Sequence, residues 1–189
     1  MGLKSIIHLI QSFGLRYWLF ILFGGIFGRS YGSFRSFAPL CFQKRFGFTF
    51  EESKYFLLLA QICTTVTTPF YSIFVKKFGK RIKLLLICCA FSVGIFALMP
   101  TLSYHKPVLV YFCMVVFGSL YSLFLMCFWT ELPFICSKEN LAFGYGFSGF
   151  VAHLSDLVTP NIVGQIIKPN NEGSYQNGLL FTLVSLILS

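Results

Sequence analysis

The chain has 189 residues, of which 56% are hydrophobic, 19% aromatic and only 11% charged, with a formal net charge of +9. Soluble domains carry about 25% charged residues, so the composition excludes an ordinary water-soluble globule and reads as an all-α polytopic membrane protein. The positive balance would suggest nucleic acid in a soluble chain, but these cations gather at the ends of apolar runs, where membrane topology and anionic lipid headgroups account for them, and no nucleic-acid partner is expected.

Residues 1–15 set Ile6, Ile7, Leu9, Ile10 and Phe13 against Lys4, His8 and Gln11. That weakly amphipathic pattern suits a helix lying on the cytoplasmic membrane surface. The first span is expected over about residues 17–40 and is the least ordinary, because it holds Arg29 and Arg35 together with Gly24, Gly28 and Gly32. Spacing of four puts these glycines on one helical stripe that lets another backbone come close. Gly28, Tyr31 and Arg35 continue at the same spacing. Arg35 lies near the non-cytoplasmic end, where snorkelling explains it as well as function does; Arg29 lies deeper, and a deep intramembrane charge marks a functional site by default.

A loop over residues 43–50 carries Lys44 and Arg45, after which Thr49 and Glu52 make the T-x-x-E capping box that opens a new helix. The second span, about 55–75, is uncharged and long enough for the roughly 30 Å hydrocarbon core. Lys76, Lys77, Lys80, Arg81 and Lys83 follow within residues 72–83. One charge at mid-bilayer costs roughly 2.5–3.5 kcal/mol, so these five must lie outside the hydrocarbon, in a short loop that the positive-inside rule places in the cytoplasm. The third span is expected over about 84–104, closed by Pro100 and a polar turn at 103–106. In the fourth, about 107–130, Gly118, Tyr121, Leu125 and Trp129 share a helical face, although Trp129 equally suits the interfacial aromatic belt.

After a polar turn at 136–140, the fifth span, about 141–167, opens with Gly144, Gly146 and Gly149 and carries His153 and Asp156 one turn apart near its middle. An unpaired carboxylate at that depth is too costly to leave bare, so Asp156 should meet His153, water, Arg29 or Arg35. The pair could relay protons; the alternative is a neutral Asp156 hydrogen-bonded between helices. A hydrophilic stretch, 168–177, precedes a last apolar run, 178–189, too short to cross, so the sixth helix is expected to be incomplete. With the basic loop inside, Lys4, Arg16, Lys138 and the loop's five cations lie on the cytoplasmic side against Lys44, Arg45, Lys54, Lys106 and Lys168 outside.

Chemistry of other kinds finds no support. Cys41, Cys63, Cys88, Cys89, Cys113, Cys127 and Cys136 show no metal-ligand spacing and read as small buried hydrophobes. No HExxH, GxSxG or paired-acid motif is present, and Glu51, Glu52, Glu131 and Glu139 are scattered at loop edges and a span end. No metal, cofactor or enzymatic activity is expected.

Residues 74–81, FVKKFGKR, resemble a degenerate form of the loop signature of the major facilitator superfamily, G-x-L-x-D-R-x-G-R-R. Lys77, Gly79, Lys80 and Arg81 match it, Ser72 replaces the first glycine and Lys76 replaces the acid. RFGFT (45–49), FVKKFGK (74–80), GSLYSLFLMCFW (118–129) and AFGYGF (142–147) further resemble successive stretches in the C-terminal halves of lysosomal dipeptide transporters of that superfamily. The resemblance implies a six-helix half of a major facilitator bundle with its last helix truncated, placed in a lysosomal or vacuolar membrane. Its first and fourth spans would line a cavity for small solutes such as dipeptides. Tyr31, Arg35, Tyr121 and Trp129 become its substrate-binding residues, with Arg35 meeting a carboxylate and the rings supplying apolar or cation-π contact. His153 and Asp156 are a departure from the family. Alternating access needs two halves, so the chain is expected to belong to a longer transporter or to pair, through the glycine stripe of its first span, with a second six-helix half or an accessory membrane subunit. The competing expectation is a non-transporting scaffold, a modulator, or an inactive fragment.

Overall fold

The computed structural model describes residues 13–99, 107–167 and 173–188. Most of the expected surface segment, Pro100, the turn at 103–106 and residues 168–172 lie outside the described residues. Among the described residues six α-helices follow one another: α1 (Leu15–Phe46), α2 (Phe50–Phe78), α3 (Arg81–Leu98), α4 (Pro107–Ile135), α5 (Leu141–Ile166) and α6 (Gly173–Ile187), with one 3-10 turn, Lys138–Asn140, before α5. Among the described residues there is no strand, and the all-α membrane fold expected from composition is the fold observed.

The helices outrun the spans, for local reasons. α1 continues through Lys44 and Arg45 to Gly47, whose left-handed φ of 69° turns the chain while its N–H bonds Phe42 O. Two cations in a last turn suit the negative end of the helix dipole, so the expected 43–50 loop shrinks to three residues. At the start of α2 the capping box is complete: Thr49 Oγ1 accepts from the Glu52 amide at 3.3 Å, and Glu52 Oε2 accepts from the Thr49 amide at 2.8 Å. α2 in turn carries Lys76 and Lys77 before Gly79 closes it at φ 65°. Only Gly79 and Lys80 separate it from α3, so the basic stretch is a helix–glycine–helix hinge. At the other end of the chain, residues 173–177, read from their polarity as loop, form the first turn of α6.

α1 packs chiefly on α5, and α4 on α2; α1 also meets α6, α4 meets α3, and α3 meets α6. Exchanging the triplet α1–α3 with α4–α6 regenerates every one of these pairs. The sequence carries the same exchange: Phe27, Gly28, Tyr31 and Phe34 in α1 match Phe117, Gly118, Tyr121 and Phe124 in α4, while Thr68-Pro69 in α2 matches Thr159-Pro160 in α5. The bundle is two interleaved three-helix repeats, the inverted-repeat plan found in transporter folds. α1 and α4 run antiparallel along a ladder of rings, Phe20 on Phe128, Phe27 on Phe124, Tyr31 on Tyr121 and Phe34 on Phe117.

Hydroxyls and one close approach fasten the other pairs. Gly118 of α4 lies on the backbone of Ala60 in α2, where a Cβ would meet the Ala60 carbonyl. Thr64 Oγ1 donates across the same contact to Gly118 O at 3.0 Å, and Thr68 and Ser122 share a hydrogen bond of 2.8 Å. The Cys88 thiol of α3 donates to Leu120 O at 3.0 Å, and Tyr17 of α1 donates to Gly144 O of α5 at 3.1 Å.

The glycine stripe of α1 meets the chain's own helices at two of its three positions. Gly24 lies under the Phe128 ring, and a Cβ at Gly32 would stand 2.6 Å from Asp156 Oδ1. At Gly28, between them, a Cβ would meet nothing within 4 Å, so that position stays open. Outside the bundle, Ile62, Val66, Phe70 and Ile73 make an exposed apolar strip on α2, and Ile82, Leu86, Phe91 and Leu98 are exposed around α3. Strips of this kind are liabilities in water and the ordinary outer surface in a bilayer. Phe50–Phe78, Arg81–Leu98 and Val108–Ile135 are long and apolar enough to cross it.

Candidate solute site

Halfway along the crossing of α1 and α4, the Tyr31 and Tyr121 rings lie face to face, centroids 3.5 Å apart and planes 7° apart, with Phe117 stacked on Tyr31 at 4.7 Å. Arg35, one turn further along α1, is exposed, acts electrostatically on both phenols, and makes no ion pair among the described residues. Asp156 reaches the same neighbourhood from α5, its carboxylate against Gly32 and within electrostatic range of Tyr121. Three of the four expected pocket residues are thus brought together, joined by an acid that sequence spacing had tied to His153.

The others fall apart from this group. Trp129 sits two turns along α4, stacked on Tyr145 at 5.9 Å and 13°, with the Tyr145 hydroxyl donating to Trp129 O at 3.0 Å. His153 is exposed on α5, and no hydrogen bond or ion pair among the described residues joins it to Asp156. Arg29 belongs to α1, but its side chain lies outside the described residues.

Two cavities flank the tyrosine pair. On the side of the α1 C-terminus and the α2 N-terminus, a cavity of about 480 Å³ is lined by Tyr31, Arg35, Glu51, Lys54, Tyr55 and Gln61, among others. On the opposite side, a slot of about 50 Å³ is lined by Gly24, Gly25, Gly28, Tyr121, Trp129 and Ser148, among others. In the larger cavity Lys54 pairs with Glu51 at 2.6 Å and also stands over the Phe50 ring at 4.8 Å. Sequence reasoning missed Glu51, Lys54, Tyr55 and Gln61. Their spacing along α2, with Leu58, puts all of them on one helical face, which was the available signal.

At the far end of the bundle the loop motif is built into helix ends. Lys77 is exposed in the last turn of α2, Gly79 supplies the left-handed cap, Lys80 opens α3, and Arg81 is its first residue. Arg81 reaches Glu131 of α4 at 3.4 Å, with the two side chains 18% and 14% exposed, and lies over the Phe134 ring at 4.3 Å. Lys76 stands where the signature has its acid; the acid that holds Arg81 comes from α4 instead. An open cavity of about 510 Å³ beside this pair is lined by Arg16, Phe20, Ile82, Glu131 and Phe134, among others. No disulfide joins any of the seven cysteines, and no His, Cys, Asp and Glu cluster among the described residues could hold a metal.

The family profile described as Major Facilitator Superfamily matches residues 3–160. The chain is also similar to the lysosomal dipeptide transporter MFSD1 of Gallus gallus, 22% identical over 158 residues, which are 84% of this chain and 35% of the relative. It thus spans about a third of the length of that curated relative. No solved structure matches.

Proposed function

The chain belongs to the major facilitator superfamily, a family of membrane transporters of small solutes, and we propose that it forms one wall of a pathway carrying dipeptides or similar small organic solutes. The observation that carries this reading is the Arg35 guanidinium, without an acidic partner among the described residues, beside the stacked Tyr31 and Tyr121 at a cavity of about 480 Å³. Small-molecule sites occupy about 300–1,000 Å³. A solute carboxylate would gain charge-assisted hydrogen bonds from Arg35, while the phenol faces cover the apolar part of the solute.

In this reading the tyrosine pair divides an open vestibule from a closed slot, and transport requires α1 and α4 to part on one side and close on the other. Rocking of one half against a second six-helix half supplies that movement. Trp129 and Tyr145 line the route beyond the gate, and Asp156, with His153 nearby on α5, is the candidate group for coupling to protons. The name of the chicken relative supports dipeptides as the solute and the lysosomal membrane as the location.

Uptake of labelled alanyl-alanine into proteoliposomes tests the proposal, with the chain alone and combined with a candidate first half. Uptake is expected only in the combination, with Arg35→Gln lowering it about tenfold or more, the scale on which loss of one charge-assisted contact acts. Absence of uptake in both preparations would overturn transport and leave the scaffold or modulator reading. For coupling, Asp156→Asn is expected to flatten the pH profile of uptake, and an unchanged profile would remove Asp156 and His153 from the mechanism.

A further inference from the structure

Two acids open α2, and they have different fates. Glu52 is consumed by the capping box with Thr49, whereas Glu51, one residue earlier, takes no part in the cap and faces the large cavity with Lys54. The box fixes where α2 begins and so fixes the backbone from which Glu51, Lys54 and Tyr55 project. That cavity contains two cations and one carboxylate among its lining residues: Arg35 from α1, Lys54 and Glu51 from α2. Lys54 neutralises Glu51 at 2.6 Å, while Arg35 has no anionic counterpart among the described residues.

We infer that Glu51 and Lys54 form the second charged pole of the solute site, where Glu51 takes the ammonium group of a zwitterionic solute in exchange for Lys54 while Arg35 takes its carboxylate. The inference rests on the reading that this cavity admits the transported solute. The exchange is chemically easy. The Glu51 and Lys54 side chains are 65% and 50% exposed, and an ion pair so open to solvent is held weakly. A displaced Lys54 keeps a cation-π position over Phe50. A solute with a single charge gains at only one pole, and one with both charges gains at two, so the cavity selects for opposite charges carried on one small molecule. Tyr55 and Gln61, on the same face of α2, offer a hydroxyl and an amide to the groups between the poles.

Equilibrium binding to the full chain in nanodiscs, with alanyl-alanine, its N-acetyl form and its C-terminal amide as probes, tests this pole. Wild type should prefer the free dipeptide over both blocked forms by about tenfold, the scale of one charge-assisted contact. Glu51→Gln should erase the preference over the N-acetyl form while keeping the preference over the amide. Glu51→Asp should restore part of it, and Arg35→Gln should show the converse pattern. Glu51→Gln leaves the Thr49 and Glu52 cap intact; should it nonetheless fail to fold, Lys54→Gln decides, because removing a competing cation should tighten the free dipeptide and leave the N-acetyl form unchanged. A Glu51→Gln chain that still discriminates like wild type, or a Lys54→Gln chain that binds the free dipeptide no better, would overturn the inference and leave the transport reading standing. No binding of any probe by wild type, either alone or combined with the candidate first half, would overturn the reading beneath it as well.

Discussion

Gly118 and Gly28 occupy matching places in the two three-helix repeats, yet they face different surroundings. A Cβ at 118 would run into the Ala60 carbonyl, while a Cβ at 28 would meet nothing within 4 Å. Because a backbone carbonyl cannot rotate aside as a side chain can, Gly118→Ala should push α4 off α2, strain the Thr64 bond to Gly118 O, and cost roughly 1–3 kcal/mol, the usual range for overpacking. Gly28→Ala should be neutral, or stabilising by roughly 0.5–1 kcal/mol through helix propensity alone. Thermal unfolding of both variants in one detergent reads the contrast, and equal midpoints would contradict the packing described for Gly118. Spacing in the sequence revealed that Gly24, Gly28 and Gly32 share a face. It could not reveal what lies opposite, which is a phenylalanine ring at Gly24, an open slot at Gly28 and a carboxylate at Gly32. In the same way Tyr31, Arg35 and Tyr121 were legible as a group, whereas spacing alone left Asp156 open between His153, water, Arg29 and Arg35, and the contact of its carboxylate with Gly32 belongs to the packing of another helix.

The hinge between α2 and α3 shows the same division among elements. Its cations and its glycine are local properties that composition exposes, and the capping box at Thr49 was equally readable because its two hydrogen bonds lie within four residues. The pair Arg81 and Glu131 was not readable, since its members sit on different helices, and Glu131 by itself resembled any acid at the end of a span. With both side chains mostly buried, removing one leaves the other charge poorly solvated. Glu131→Gln should therefore lower stability by roughly 1–3 kcal/mol, as for a charged group deprived of its partner. Glu131→Lys, which places a second cation against Arg81, should lose more. Gly79→Ala, forced to a φ of 65°, should cost roughly 1–2 kcal/mol from left-handed strain. If heat stability in nanodiscs were the same for Glu131→Gln as for wild type, the hinge would not be anchored by this pair.

At the scale of the whole bundle, the repeat of Phe-Gly-x-x-Tyr-x-x-Phe at residues 27–34 and 117–124 was present in the sequence from the start but gained meaning only once the helix pairs were known, because a single aromatic pattern in an aromatic-rich chain carries little information. The pairs then fix which ends of the helices share a side. Arg16, Ile82 and Glu131 line one cavity and Arg81 bonds Glu131, so the start of α1, the α2–α3 hinge and the end of α4 lie together. Arg35, Glu51 and Lys54 line another, which groups the end of α1 with the start of α2. The end with the hinge carries Arg16, Lys76, Lys77, Lys80, Arg81, Lys83 and Lys138, so it should face the cytoplasm. In sealed vesicles an impermeant maleimide applied from the cytoplasmic side should then label Lys80→Cys and Lys138→Cys alike, and label Lys54→Cys only from the other side. Native Cys136, next to Lys138, should stay silent: it is 7% exposed, and burial pushes its thiol above the usual range, which leaves less of the reactive thiolate at neutral pH. Half-exposed Cys63 and Cys89 would be replaced by serine beforehand. Labelling of positions 80 and 138 from opposite sides would break the antiparallel crossing of α1 and α4, and with it the tyrosine pair at the centre of the proposed pathway.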